Sequence, residues 1–403
     1  MGTLQGEKSV VTILCDISSF YSVNGGGVKT YHEQKMRFFA RHREHKYIMV
    51  IPANENSVHT TAYGKQYSVR GFRVSRDGTY RQIIDYPYLS KIMKEEHPDV
   101  LELGSCYLDS WLARISAVST VPVITGFYHA DFPDSYIMPA LKGAPPALVK
   151  RVVGFWRKYV AFAYRRLDAT IVASDYMMEK LGRFGLHNTR KVALGVDTDC
   201  FHPRKRDLLF RQQLGIGPSD KLLLFAGRFG SEKGTKTLLT ALPMVMDTPH
   251  VHVVFVGSGP LGSEIRAAAD PFPNAHVLDF IHDREHLATL YASSDLFLSP
   301  GPYETFGLST LEAMSAGLPV VAAASGGAGE LVVKCRGGVC FDPGDHDALA
   351  AAVRKVLASD HRRIGLDGRA SVERFYSWNH TFHTLLSVYE QILSQKTLDR
   401  KAS

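Results

Sequence analysis

The sequence predicts an α/β protein made of two parallel sheets that face each other across a cleft. Three observations carry this. Short runs rich in Val, Ile and Leu recur along the 403 residues. They lack polar alternation, and stretches of helical length with apolar spacing of three and four separate them. Unbroken apolar runs suit strands buried on both faces, and strand–helix alternation builds parallel sheets through right-handed crossovers.

In the first half the strand-like runs are Val10–Leu14, Tyr47–Ile51, Val100–Leu103, Val121–Thr125 and Ala169–Ala173, with a helix over Val28–Ala40. In the second half they are Leu222–Ala226, His252–Val256, Ala275–Leu278, Leu296–Ser299 and Pro319–Ala323. Helices are expected there over Thr235–Met246 and Arg284–Tyr291. Some ten strands fit two sheets better than one. A turn-rich stretch, Gly195 to Pro203, followed by the charged Arg204–Arg211, marks the break. The expected units are 1–200, 201–370, and a helical segment 371–403 that packs back on the first unit. No repeat and no low-complexity tract interrupts this plan.

Composition narrows the class. Hydrophobic residues make up 45% and charged residues 22%, enough for full cores. Five scattered cysteines suit neither a zinc ribbon nor a disulfide framework. The first eight residues hold no apolar run of a signal peptide, and no long uncharged apolar stretch occurs. The expectation is a soluble, reduced, cytoplasmic protein. The net charge of +7 is confined to residues 1–200, which hold 26 Lys and Arg against 19 Asp and Glu; the remainder is balanced. That half is expected to meet something acidic. No nucleic-acid module appears.

In open α/β sheets, ligands collect beyond the carboxyl ends of the strands, so the residues just after each strand matter most. After Leu222–Ala226, Arg228 and Lys233 stand in a strand-to-helix loop with free backbone N–H groups, a natural clamp for a diphosphate. After His252–Val256, Gly257 and Gly259 would let the backbone approach a ligand. After Leu296–Ser299 comes Pro300-Gly301-Pro302-Tyr303-Glu304-Thr305-Phe306-Gly307-Leu308, a loop opening a helix that Gly317 stops. The N–H groups of Phe306, Gly307 and Leu308 make an anion site, while Glu304 and Glu312, eight residues apart, suit sugar hydroxyls. Together these read as a nucleotide-sugar pocket. In the first half, Gly25, Gly26 and Gly27 open a helix. His129 lies just past a strand end.

These segments resemble the retaining glycosyltransferases of family 4, with the GT-B fold. The shared features are Glu304 and Glu312 with seven residues between them, Gly227-Arg228 followed by Lys233-Gly234, Gly257-Ser258-Gly259-Pro260, and Gly195-Val196-Asp197 followed by Phe201 and Pro203. Leu278 to Asp295 also fits, with Asp279 where relatives often have glycine. The likeness spans about residues 9 to 390. His129-Ala130-Asp131-Phe132-Pro133 is similar to the motif of lipid-directed mannosyl- and sulfoquinovosyl-type members, with Ala130 in place of the usual Thr.

The resemblance implies two Rossmann-like domains, with the donor in the second and the acceptor mainly in the first. It implies that Arg228 and Lys233 hold the donor diphosphate, Glu304 the donor sugar, and Glu312 the ribose. It places Gly26, Gly27, Gly257, Gly259, Ile281, Phe306, Gly307 and Leu308 against substrate, and His129 against the donor sugar. Cations and helix dipoles can stabilise a departing diphosphate without a metal. Asp197-Thr198-Asp199 and Asp345-His346-Asp347 are therefore not expected to bind one. No cofactor is expected beyond the nucleotide-sugar itself. The expected acceptor is lipid-linked or a glycan; a small soluble acceptor, or a non-catalytic sugar-binding role, is the alternative. Residues 135–167 hold seven Lys and Arg and no acid. Arg151, Lys158 and Arg165 repeat every seven residues beside Val152, Phe155, Tyr159 and Phe162, with Trp156 among the cations. This stretch is expected either to dock on an anionic membrane or to be a scaffold helix with a basic face.

Overall fold

A computed structural model describes residues 11–19, 21, 26–74 and 81–402. Val10 and Gly25, named above, lie outside them.

The first sheet holds β1 (Ile13–Ile17), β2 (Lys46–Ala53), β3 (Ser57–Thr61), β4 (Gly64–Arg73), β5 (Arg81–Ile83), β6 (Val100–Leu103), β7 (Val123–Phe127), β8 (Ala169–Val172) and β9 (Thr189–Lys191). Its order is β3-β4-β2-β1-β6-β7-β8-β9, with β5 on β4. Only β3 and β5 run antiparallel to their neighbour. The second sheet holds β10 (Lys221–Ala226), β11 (Val251–Val256), β12 (Ala275–Leu278), β13 (Leu296–Ser299), β14 (Val320–Ala323) and β15 (Gly338–Phe341). It is parallel throughout, in the order β12-β11-β10-β13-β14-β15.

Two α/β units on parallel sheets are what the apolar runs predicted. Val100–Leu103, Ala275–Leu278 and Leu296–Ser299 are strands as expected. The run at Val121–Thr125 is shifted, because the strand covers Val123–Phe127. Five strands escaped the sequence: β3, β4, β5, β9 and β15. The first three lie at one edge of the sheet, where Ser57–Thr61 and Gly64–Arg73 carry polar residues instead of an apolar run.

Each sheet has a switch point where strand order reverses, between β1 and β6 and between β10 and β13. Adjacent crossovers leave in opposite directions there and open a crevice. The first switch point collects the residues after Ile17 and Leu103. The second collects those after Ala226 and Ser299.

The chain crosses between units at two segments that touch. Val196 N–H donates to Tyr376 O at 2.9 Å, and Thr381 Oγ1 donates to Ala193 O at 2.9 Å. A Cβ at Gly195 would stand 2.3 Å from the backbone nitrogen of Trp378, so only glycine fits. The last helix, Trp378–Ala402, lies against the first unit. Phe382 meets the rings of Phe38 and Tyr31, Tyr389 donates to the buried Glu102, and Lys396 pairs with Asp168 at 2.6 Å.

Candidate active site

The second switch point brings Lys233 and Glu304 together across 71 residues of chain. The Lys233 ammonium donates to Glu304 Oε1 at 2.5 Å. Lys233 sits in the turn Ser231–Lys233 after β10, and Gly234 (φ +68°) ends that turn against Pro300 O. Burial opposes the charge on Lys233, but the Glu304 carboxylate outweighs it and raises its pKa. Arg228, in the same loop, is half exposed and has Glu232 at 3.8 Å.

The Glu304 loop is held from below. Gly327 N–H donates to Glu304 O at 2.7 Å, Ser325 Oγ donates to Pro302 O at 3.0 Å, and a Cβ at Gly327 would meet Phe306 at 2.4 Å. The Ser-Gly-Gly after β14 is thus the floor of the site. Sequence reasoning passed over it, although a glycine pair just after a strand was the available signal. Gly307, at φ +98°, caps the helix Leu308–Ser315 without a side-chain bond, which leaves its first N–H groups unoccupied by any cap. Phe306 is buried and Leu308 half-buried.

Glu312 is buried in that helix, and burial raises its pKa. Arg284 Nη2 lies 3.2 Å from Glu312 Oε1, with its guanidinium 5.1 Å from the Phe201 ring centre. Nothing in the local sequence marks Arg284 as the partner of Glu312. Ile281 is half-buried against the core nearby in the chain, and Asp279 turns away to pair with Arg266 at 2.8 Å.

Gly257 and Gly259 were expected to admit a ligand. A Cβ at Gly257 would stand 1.9 Å from Gly227 O, and one at Gly259 2.6 Å from Phe229 O. Their lack of side chains lets this turn press on the Gly227–Phe229 loop and so shapes the Arg228 loop.

The first unit contributes His129. It follows β7, its ring stacks on Phe127 at 4.2 Å, and it is half-buried, with Nε2 closed off from solvent. Burial, then the neighbouring His32, lowers its pKa to about 3, so it is a neutral imidazole at physiological pH. Asp131 of the same motif is structural here: it accepts from Tyr128 OH at 3.0 Å and from Lys180. A Cβ at Gly27 would meet Leu308 Cδ1 at 3.0 Å, so the start of the first helix faces the Leu308 helix. Gly26 has open space.

The two units are joined at the site. Thr305 Oγ1 donates to His129 O at 2.9 Å, and Ser174 Oγ donates to Thr305 O at 2.7 Å. Glu330 accepts from the N–H groups of Asp175 at 3.2 Å and Tyr176 at 2.7 Å, capping a first-unit helix from the second unit. His129 and Glu304 are therefore placed one residue of chain plus one hydrogen bond apart.

Asp197 accepts from Cys200 N–H and Asp345 caps the helix His346–Leu357, so both acidic tripeptides build turns. Among the described residues, no group of three or more His, Cys, Asp or Glu is arranged to hold a metal. Among them also, no helix is long and apolar enough to cross a membrane.

The basic stretch forms a helix with a partly apolar outer face. In the helix Pro146–Tyr164, Phe155 is 63% exposed, and Phe162, 39% exposed, lies under Arg166 at 3.5 Å. Phe155 meets Trp156 within its own helix, while Phe162 also packs on Trp111, with 5.9 Å between ring centres. Arg157 is not a free cation, because it pairs with Asp134 at 2.7 Å. Trp156 packs on Phe132 and Tyr159.

The family described as "Glycosyltransferase Family 4" matches residues 25–200, and "Glycosyl transferases group 1" matches 208–370. A GDP-mannose-dependent alpha-(1-6)-phosphatidylinositol dimannoside mannosyltransferase of Mycobacterium tuberculosis is 27% identical over 92% of this chain and 94% of its own. A GDP-mannose-dependent alpha-mannosyltransferase of the same species is 30% identical over 74% of this chain and 75% of its own. Among solved structures, a sucrose-phosphate synthase from Thermosynechococcus elongatus superposes with a TM-score of 0.76 at 20% identity, covering 95% of this chain and all of that one. Two facing Rossmann-like units, with charged loops meeting at the strand switch, agree with these matches: the chain belongs to the family 4 glycosyltransferases of the GT-B fold and is a hexosyltransferase.

Proposed function

We propose that this enzyme moves a hexose from a nucleotide-sugar to a lipid-linked or glycan acceptor, with retention at the anomeric carbon and without a metal ion. The Lys233–Glu304 pair at 2.5 Å, beside the open N-terminus of the Leu308–Ser315 helix, carries this reading. A donor offers what both partners can exchange for each other. Its diphosphate takes Lys233, Arg228 and the Phe306–Leu308 N–H groups, and its hydroxyls take Glu304. Charge growing on the departing diphosphate then meets groups already oriented. Glu312 takes the ribose hydroxyls and Ile281 lies toward the base, with Gly257 and Gly259 shaping that side. Gly26 and Gly27 approach from the first unit, and His129 bonds the sugar as a neutral imidazole. Glu304 is paired with Lys233 and Glu312 with Arg284 rather than poised as a nucleophile, which favours same-face attack assisted by the leaving phosphate.

The units are taken as 1–200 for the acceptor, 201–370 for the donor, and 371–403 as a strap. The mannosyltransferase relatives make GDP-mannose the first donor to try. The exposed Phe155 and Phe162, beside Arg151, Lys158, Arg165 and Arg166, favour attachment to anionic lipid on the inner face of a membrane.

A hydrolysis screen over GDP-, UDP- and ADP-sugars, with and without membrane lipid extract, tests the reading. Hydrolysis of one donor and sugar transfer into lipid or glycan, both unaffected by EDTA, are expected. No turnover of any donor overturns the activity. Complete loss in EDTA with rescue by magnesium or manganese overturns the metal-free mechanism.

A further inference from the structure

Eight buried side-chain nitrogen and oxygen atoms lack a hydrogen-bond partner among the described residues; three belong to two neighbouring imidazoles, and a fourth lies at the first switch point. These four are Ser18 Oγ, both ring nitrogens of His32 and Nε2 of His129. Ser18 follows β1 at the first switch point. His129 follows β7, and His32 lies on the helix that starts at Gly27. The two imidazole centres are 5.9 Å apart, and each is 5.1 Å from the Tyr31 ring. His32 is 1% exposed.

Burying an imidazole with both nitrogens unpaired is costly, and an aliphatic side chain would fill the same space without that cost. The nearest charged group does not relieve it. Asp16 Oδ2 lies 3.5 Å from His32 Nδ1, but the Asp16 carboxylate already accepts from Lys35 at 2.8 and 3.0 Å and from Tyr47 OH at 2.7 Å.

We propose that His32 is a second sugar-recognising side chain of this cleft, sharing the donor hexose with His129 and the Ser18 hydroxyl. This rests on the function proposed above. Three observations point to hydroxyls rather than phosphate. A neutral imidazole carries one donor and one acceptor, the complement of a hydroxyl. Burial holds both histidines neutral, with pKa values near 3. The one buried ammonium behind them, Lys35, faces two carboxylates, Asp16 at 2.8 Å and Glu102 at 3.0 Å, so the wall offers no excess positive charge. The wall also borders the donor loop. Thr305 binds the His129 carbonyl and Leu308 meets Gly27.

The test compares binding and turnover in the full chain. GDP and GDP-mannose, with UDP and UDP-glucose as a second pair, are titrated by calorimetry and assayed for hydrolysis. His32→Leu is expected to bind the nucleoside diphosphate within about twofold of wild type, while kcat/KM for the nucleotide-sugar falls about ten- to a hundredfold. His32→Asn, which restores one donor and one acceptor, recovers part of the loss. A purely structural histidine would move both ligands together or neither. Nucleotide-sugar turnover within threefold of wild type in His32→Leu overturns the assignment. If His32→Leu fails to fold, His32→Gln and Ser18→Ala take its place. A loss confined to the nucleotide-sugar in either supports the assignment, and wild-type turnover in both overturns it. A wild type that hydrolyses neither donor overturns the proposed activity and this inference with it. A wild type that does, with His32→Leu unimpaired, overturns the inference alone.

Discussion

Lys233 and His129 show how one cleft sets opposite charge states. Lys233 keeps its ammonium because Glu304 lies at 2.5 Å, whereas His129 loses its proton to burial. Replacing Lys233 by alanine should cost about 2–4 kcal/mol of transition-state stabilisation, measured as kcat/KM in a variant whose melting temperature stays near wild type. Turnover like wild type would refute the clamp. The histidines also set a pH dependence of stability. Their folded pKa values, near 3, lie below the unfolded value of about 6.5, so the unfolded chain binds more protons between those limits. Stability contributed by the neutral rings is complete above pH 6.5 and falls as pH drops toward 3. Each contributes a slope approaching about 1.4 kcal/mol per pH unit. Asp16, whose pKa burial raises, acts in the opposite sense, so the comparison must be between wild type and a histidine variant. Urea midpoints at pH 7 and pH 5 should differ less in His129→Asn than in wild type; an equal difference would show that His129 already titrates normally.

At the scale of elements, glycines and caps decide what touches what. Gly195 lies where the two inter-unit crossings meet, and a Cβ there would press on backbone at 2.3 Å rather than on a movable side chain. Gly195→Ala should therefore destabilise the fold by about 1–3 kcal/mol in denaturant melts. Gly185→Ala makes a useful contrast: it sits at φ +83° but has no neighbour within 4 Å, so only the backbone conformation is penalised. The Thr305 bond to the His129 carbonyl ties the donor loop to the first unit. Thr305→Val keeps the shape and deletes that bond, at a cost of about 1 kcal/mol to the joined arrangement. A fall in kcat/KM of about fivefold is expected, with the melting temperature little changed. No change in kinetics would mean that the bond does not bear on turnover.

For the whole molecule, the charge of +7 on residues 1–200 is the property that reaches furthest. Part of it is spent internally, since Arg157 pairs with Asp134 and Lys180 with Asp131 and Asp134. The exposed remainder on the Pro146–Tyr164 helix stands beside Phe155, so polar attraction and apolar insertion would act on one face. Each Lys or Arg near an anionic surface contributes up to about 1 kcal/mol, screened beyond a Debye length. Co-sedimentation with anionic vesicles should be strong at low salt, weak at high salt, and absent with neutral lipid. Lys150, Arg151 and Lys158 changed together to Glu should abolish it while donor hydrolysis persists. Arg157 is left out because its loss would unpair Asp134. Equal binding to neutral and anionic vesicles, or binding to neither, would assign the charge to an acidic soluble acceptor instead.

Much of this protein was legible in the order of its residues. Apolar runs marked the central strands, since a strand buried on both faces must be apolar throughout. The glycine and acid pattern from Pro300 to Gly317 marked the loop proposed to hold the donor, since a loop that opens a helix and is built to meet a ligand has few choices of residue. What the sequence could not show was pairing at a distance. Nothing local says that Lys233 meets Glu304, that Arg284 meets Glu312, or that Tyr389 of the last helix closes on Glu102 near the start of the chain. The edge strands were hidden for the related reason that polar residues interrupt them, so that Tyr67, Val69 and Ile83 are buried without forming an apolar run. His32, with both ring nitrogens orphaned, was hidden most completely. A histidine on a helix reads as a surface residue until the packing of Tyr31, Phe127 and the first switch point takes it out of water. Burial and partnership are properties of the assembled fold, and they decide which of the chain's many polar residues have chemistry left to offer.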